Sequence, residues 1–326
     1  MDVLGIESSC DETATAVVRD GRKVLSNIVF SQQDLHGVFR GIVPEIASRA
    51  HLEKINEVLA LALKRAPRFD AIAVTAGPGL IGSLLVGKMA AEALAWVAGV
   101  PLTGVNHLEA HLFANLLEDR GLKPPFIGLV VSGGHTDLVE VLDFGRYRVL
   151  GRTRDDAAGE CFDKAANLLG LGYPGGPAID RLSAKGDPLT VDFPRPYLEG
   201  SWDFSFSGLK TAVAYYMKTP GKKARKADIC ASFQASVVDV LVSKTLLAAR
   251  RFGRKNISIG GGVAANSALR KRFVEESEKR GLNIHLPSKR LCTDNAAMIA
   301  ALGYHRLKAG RTGVAVDPSL PIQNWN

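Results

Sequence analysis

Val3-Leu4-Gly5-Ile6, Glu7-Ser8-Ser9-Cys10-Asp11-Glu12-Thr13 and Ala14-Thr15-Ala16-Val17-Val18 follow one another as apolar run, polar turn and apolar run. Short apolar runs separated by a turn of this kind predict a β-hairpin. After Lys123-Pro124-Pro125 the pattern returns. Phe126-Ile127-Gly128-Leu129-Val130-Val131 leads through Ser132-Gly133-Gly134-His135-Thr136 to Leu138-Val139-Glu140-Val141-Leu142. Alternating helical and strand segments follow each hairpin, so the expected fold is α/β and duplicated, with two lobes and a cleft between them.

Within the first half, residues 45–64 predict a long amphipathic helix introduced by Pro44. Residues 70–75 predict a strand, and Gly77-Pro78-Gly79-Leu80-Ile81-Gly82 after it matches a dinucleotide fingerprint. Pro78 restricts that loop, and the next strand ends in Asn106-His107 with no ribose-binding acid. Residues 82–88 nearly spell a phosphate loop, but Met89 stands where Ser or Thr is needed. These glycines read instead as close helix–sheet packing.

Residues 100–105 predict a buried strand, and a helix is expected from Asn106. His107 and His111 then lie one turn apart on one helix face. Such a pair is half a coordination sphere or, on the plainer reading, two partly buried histidines at a helix start. Glu109 follows the first histidine by two positions, so the zinc-protease motif H-E-x-x-H is absent. A third ligand must come from elsewhere, and Asp294 is the candidate, at the head of the apolar helix expected over residues 296–307. The competing role for Asp294 is a helix N-cap.

The first hairpin turn sets Asp11 and Glu12 beside Ser8 and Ser9. It suits a phosphate, a metal or a proton transfer, or it is a plain polar turn. Asp11 and Glu12 are the catalytic candidates. In the second turn Gly133-Gly134 admits close approach of a ligand to backbone N–H groups, or serves only as a glycine-rich hairpin. Asp163 is expected to begin a helix ending at Gly170, and the Gly172–Pro177 loop leads into a helix carrying Asp180. Two carboxylates flanking a glycine-rich loop suit vicinal hydroxyls such as those of ribose, with capping as the alternative for Asp163. Gly260-Gly261-Gly262, after the apolar run from Ile257, leaves room for a flat ring, and Asn266 either caps the next helix or bonds a ligand.

The chain has 326 residues, 46% hydrophobic and 23% charged, ordinary for a globular protein of one large or two ordinary domains. Net charge is +8, which permits a polyanionic partner such as RNA. Lys218, Lys222, Lys223, Arg225 and Lys226 cluster around Pro220-Gly221, as a solvated loop or an RNA contact. The four cysteines are scattered, which fits a reducing cytoplasm rather than a disulfide framework. Asp2 and Glu7 argue against a signal peptide, and the most apolar window, residues 89–100, is too short to span a bilayer.

Eight motifs in this order resemble the TsaD family, the bacterial and organellar tRNA threonylcarbamoyladenosine transferases. They are Gly5-Ile6-Glu7-Ser8-Ser9-Cys10-Asp11-Glu12-Thr13, Val43-Pro44-Glu45, Asn106-His107 with His111, Ser132-Gly133-Gly134-His135-Thr136, Phe162-Asp163-Lys164, Pro174-Gly175-Gly176-Pro177, Phe206-Ser207-Gly208-Leu209-Lys210 and Cys292-Thr293-Asp294-Asn295. One departure is Arg40, where the family usually has a glycine before Ile42-Val43-Pro44.

The resemblance implies a two-lobed fold of the actin, Hsp70 and sugar-kinase type, with residues 1–118 plus 297–326 as one lobe and 119–296 as the other. It implies transfer of a threonylcarbamoyl group from threonylcarbamoyl-adenylate to N6 of the adenosine 3′ to the anticodon, in tRNAs reading codons that begin with A. Carried over by position, His107, His111 and Asp294 bind one divalent metal, iron or zinc. Ser132, Gly133, Gly134, His135, Thr136, Asp163, Gly176, Asp180 and Asn266 hold the adenylate, with ATP or ADP as further occupants of the cleft. The implied partners are tRNA, a TsaB-like silent paralogue and a TsaE-like small ATPase, with no membrane. Two other classes share features with this chain. A metalloprotease is disfavoured by the missing Glu next to His107, and an ATP-hydrolysing chaperone or kinase by the histidine ligands, since Mg-ATP sites are built chiefly of oxygen.

Overall fold

The computed structural model describes residues 1–325 apart from 40, 120, 199, 220, 222 and 223. The Arg40 departure, and Lys222 and Lys223 of the basic cluster, lie outside the described residues. The chain divides into two compact units, the first made of Met1–Leu122, Phe144–Arg146 and Arg290–Asn326, the second of Lys123–Asp143 and Tyr147–Lys289. Asp294 shares a unit with both histidines.

The first unit begins with β1 (Asp2–Glu7), β2 (Glu12–Arg19), β3 (Lys23–Ser31), α1 (Gln33–Gly37) and α2 (Pro44–Arg65). It continues with β4 (Ala71–Gly77), α3 (Ile81–Ala98), β5 (Leu102–Asn106), α4 (His107–Phe113) and a 3-10 turn over Ala114–Leu117. The second unit holds β6 (Phe126–Val131), β7 (Thr136–Asp143), β8 (Arg146–Arg152), α5 (Ala158–Leu168), α6 (Gly175–Ser183), α7 (Ser207–Lys218) and α8 (Lys226–Arg251). β9 (Asn256–Gly260), α9 (Ser267–Glu278) and β10 (Asn283–His285) complete it, and α10 (Lys289–Cys292) and α11 (Ala296–Lys308) return the chain to the first unit.

Each unit is built on one five-stranded sheet, in the order β3-β2-β1-β4-β5 and β10-β9-β6-β7-β8. Reversed, the second list has the connectivity of the first. In each, an antiparallel hairpin carries a third strand beside its second strand and is extended by parallel strands beside its first, β1 with β4 and β6 with β9. The duplication expected from the two hairpins is present. The sequence reading missed this third strand in each unit. β3 and β8 are edge strands with four and three exposed residues; Ser26 and Asn27 break up the apolar run of β3, and Arg146, Arg148 and Arg152 that of β8. Asp163 does not begin its helix, because α5 already starts at Ala158.

In the first unit the sheet is covered on both faces. Leu4, Ile6, Ile72 and Val74 pack with Ile55 of α2 and Ala91 of α3. Residues one step along the strands face α11: a Cβ on Gly5 would lie 2.3 Å from the Ala296 carbonyl oxygen, and one on Gly303 the same distance from the Ala73 Cβ. Two glycines thus let α11 settle onto β1 and β4, which fixes the segment leading into it.

Among the described residues two helices, α3 and α8, are long and apolar enough to cross a membrane, so the 89–100 window understates the apolar stretch. The apolar window of α8 is 83% buried within its own fold. α3 is the crossover between the parallel strands β4 and β5, with 28% of its window buried and Met89, Trp96 and Val97 exposed.

His305 of α11 stacks on Phe144 at 3.8 Å between ring centroids, and its buried Nε2 has no hydrogen-bond partner among the described residues. Burial, with Arg22 adding to it, pushes this imidazole down to about 4. The folded value lies below the ordinary one, so the stability it carries is present above about pH 6.5 and is lost as pH falls toward 4. His305→Phe keeps the stack and removes the proton site. Between pH 7 and 5 the variant should lose about 1–2 kcal/mol less than the parent in urea unfolding, after discounting for partial exposure. Equal losses would contradict this.

Candidate metal centre

β5 delivers the chain into α4, and Asn106 caps that helix, its side-chain oxygen accepting from the Leu108 and Glu109 amides at 2.9 and 3.1 Å. This sets both histidines inward and buried, with ring centroids 4.7 Å apart and nearly perpendicular. Asp294 arrives just ahead of α11. It does not cap the helix, since Asn295 does so through the Met298 amide. The Asp294 carboxylate instead lies 3.1 Å from His111 Nε2 and 3.4 Å from His107 Nε2. One ligand atom from each of the three residues lies within 4.8 Å of the others.

Glu7, at the end of β1, lies behind this group and was not singled out from the sequence. It is fully buried, and one carboxylate oxygen takes His107 Nδ1 at 2.8 Å and the Thr75 hydroxyl at 2.8 Å. The other accepts from the Ser9 amide at 2.5 Å. A carboxylate on the far nitrogen of a histidine fixes its tautomer and turns Nε2 toward a metal. The available signal was an acid at the end of an otherwise buried strand.

The electrostatics favour a cation. Burial disfavours charge on His107, yet Asp294 and Glu7 outweigh it and hold the imidazole well above its usual value. Burial pushes the Glu7 carboxyl up, and His107 more than offsets this, leaving it below the ordinary range. Asp294, also opposed by burial, is held lower still by His107 and His111. Burial pushes His111 down, so it is the neutral imidazole a metal needs. Glu12 is driven well up by burial and by the nearby Asp294 and Asp11 charges. Carboxylates in one neighbourhood and two imidazole Nε2 atoms converging on Asp294 fit a divalent ion with mixed N/O ligands. Glu7→Gln keeps shape but weakens the hold on His107. It should reduce metal affinity about 10–100-fold, read by chelator competition, and unchanged affinity would contradict the role given to Glu7.

The expected donor-binding residues fall together in the second unit. The Ser132 carbonyl accepts the Gly159 amide at 3.1 Å, and the Thr136 hydroxyl accepts that of Ala158 at 3.0 Å, tying the β6–β7 turn to the start of α5. From mid-helix, Asp163 accepts the first amide of α6, that of Gly175, at 2.7 Å. Asp180 of α6 accepts both the amide and hydroxyl of Ser267 at the start of α9, and Asn266 caps α9 through Leu269. Gly176 lies between these contacts on α6. Cβ atoms on Gly133, Gly134, Gly176 and Gly262 would meet nothing within 4 Å, so the backbone there is open to a ligand. His135 carries its amide to the Ser132 hydroxyl at 3.2 Å, which closes the turn.

A sequence model of TsaD, tRNA N6-adenosine threonylcarbamoyltransferase, matches residues 23–301. The tRNA N6-adenosine threonylcarbamoyltransferase of Geotalea uraniireducens is 55% identical over 331 residues, 99% of this chain and 96% of that protein. The chain belongs to the TsaD family. The Endomicrobium trichonymphae protein of the same name is 51% identical, covering 100% of this chain and 99% of its own. Solved structures add the fold alone. Full-length HypF, in its phosphate- and nucleotide-bound form, superposes with TM-score 0.64 at 15% identity, over 97% of this chain and 47% of HypF. Component A of Acidaminococcus fermentans (R)-2-hydroxyglutaryl-CoA dehydratase gives 0.54 at 16%, over 94% and 99%. The α/β fold of the actin and sugar-kinase type is as expected, and in this TsaD-family chain the His107, His111 and Asp294 group sits within the first unit.

Proposed function

We propose that this chain transfers a threonylcarbamoyl group from threonylcarbamoyl-adenylate to N6 of the adenosine 3′ to the anticodon, in tRNAs reading codons that begin with A, releasing AMP. The family names the reaction, and the observation that carries the mechanism is the convergence of His107, His111 and Asp294 with Glu7 behind His107. The exocyclic amine of adenine is a poor nucleophile, so the carbamoyl carbon must be made more electrophilic. A divalent ion, iron or zinc, bound there would polarise a donor oxygen and stabilise the negative charge that builds during attack.

The chain's own residues do the rest. Glu7 holds His107 in one tautomer. Gly133, Gly134 and Gly176 offer the adenylate backbone amides and open space, Ser132, His135, Thr136 and Asn266 frame that opening, and Asp163 and Asp180 offer it carboxylates. Asp11 and Glu12 orient the donor or take the amine proton, Asp11 foremost. A net charge of +8 favours tRNA. The exposed Met89, Trp96 and Val97 of α3 give a TsaB-like partner an apolar face, a TsaE-like ATPase completes the set, ATP or ADP is a further nucleotide of the second unit, and four free cysteines suit the cytoplasm. The protease reading loses its acid. Glu109 is 1% exposed and accepts the Trp325 indole N–H at 3.0 Å, leaving no carboxylate placed to activate water from that helix.

The test is an unmodified tRNA transcript incubated with the protein and threonylcarbamoyl-adenylate. Appearance of the modified nucleoside with AMP supports the proposal. Its absence, with peptide cleavage in its place, overturns it.

A further inference from the structure

The helix that carries two metal ligands has seven residues, too few to hold its own orientation in water. Its direction must be imposed from outside, and Glu7 fixes one of its side chains, that of His107. A second constraint comes from residues 313–325, a stretch without regular structure for which the sequence offered no role.

This stretch crosses the ends of β5 and β4 and finishes on α4. Gly313 pairs with β5, donating to the Leu102 carbonyl at 2.8 Å and accepting the Gly104 amide at 2.9 Å. The Asp317 amide donates to Ala76 at 2.9 Å, and the Gly79 amide donates to Pro318 at 3.1 Å. A Cβ on Gly77 would fall 1.9 Å from the Asp317 carbonyl oxygen, so the stretch lies flush on the backbone there. It then meets Asn106, whose side-chain NH2 donates to the Leu320 and Pro321 carbonyls at 3.1 and 3.0 Å. The oxygen of the same amide caps α4. One side chain therefore spends two donors on the strap and its acceptor on the helix. Finally the Trp325 indole N–H reaches Glu109, midway between the two histidines, while its ring lies under Arg306 at 5.0 Å and its amide donates to the Gly145 carbonyl at 2.9 Å.

We propose that residues 313–325 form a positioning strap that sets the orientation of α4, and so the approach of His107 and His111, by fastening Asn106 and Glu109. The proposal rests on the metal reading of these histidines. The fastening points are the helix cap and the residue between the ligands. Metal sites tolerate about 0.5 Å of ligand misplacement, so loosening either point weakens the ion's hold before it unfolds the protein.

Two mild variants separate this from ordinary packing. Asn106→Asp keeps the capping oxygen, since Asp caps as well as Asn, but turns both strap donors into acceptors facing carbonyls. Trp325→Phe keeps an aromatic ring and removes the N–H. Zinc affinity of each metal-stripped full-length protein is measured by competition with a chromophoric chelator, with His111→Ala in parallel, and exchange of the α4 amides is followed in the metal-free state. The strap predicts about 10–100-fold weaker zinc binding and faster α4 exchange in both variants, with the thermal midpoint near that of the parent in Trp325→Phe and lowered in Asn106→Asp, whose new carboxylate oxygen faces two carbonyls. Parental zinc affinity in both variants overturns it, as does a loss that only tracks global unfolding. A parent that binds zinc no better than His111→Ala overturns the metal reading itself, and the strap with it.

Discussion

Purified His111→Ala protein is expected to fold, to hold no iron or zinc above background, and to lose about three orders of magnitude in tRNA modification. That loss corresponds to the several kcal/mol that a metal's stabilisation of developing charge supplies. His111 contributes Nε2 to the triad, 3.1 Å from Asp294, and among the described residues no further imidazole belongs to that group. The fold should survive because the histidine also brings a buried Nδ1 without a partner among the described residues. Removing that atom offsets part of the cavity cost. Circular dichroism with metal analysis checks the first two outcomes and nucleoside analysis of the tRNA the third. Full activity in the variant would remove the metal from the mechanism.

The second large effect is structural. Gly5→Val should destabilise the protein by about 3 kcal/mol or more, the upper range of overpacking, and should lower metal occupancy as well. The new Cβ would lie 2.3 Å from the Ala296 oxygen and 2.8 Å from the Ala300 nitrogen, and backbone atoms inside a helix cannot step aside singly. The first turn of α11 would have to lift from β1, and Asp294 lies two residues before that helix. Denaturant unfolding and metal content of the same preparation test both consequences. Parental values in both would show that the helix start is free to move and that Asp294 is not set by it.

These two sites also show what the sequence could and could not tell. Regular elements built from apolar periodicity were legible: both hairpins, α2, the β4–α3–β5 crossover and the histidine pair. Asp294 was legible as an acid ahead of an apolar helix, but capping would have placed the same residue there, and only the fold shows that Asn295 takes that task. Glu7 was hidden because a buried acid at a strand end reads in one dimension as the first residue of a polar turn. β3 and β8 were hidden because edge strands need only one buried face. Asp163 was displaced in the reading because α5 opens with Ala158-Gly159, a weak helix start, and the aspartate caps a different helix, α6. The strap over residues 313–325 has no periodicity at all, since its order comes from backbone groups meeting β4, β5 and Asn106.

The most direct measurement is a metal titration of chelator-stripped protein, with tRNA modification from threonylcarbamoyl-adenylate and bound metal read on the same samples. The account predicts that modification is absent at the start and rises in proportion to occupancy until one ion is bound per chain. Full modification by protein holding no metal would contradict it.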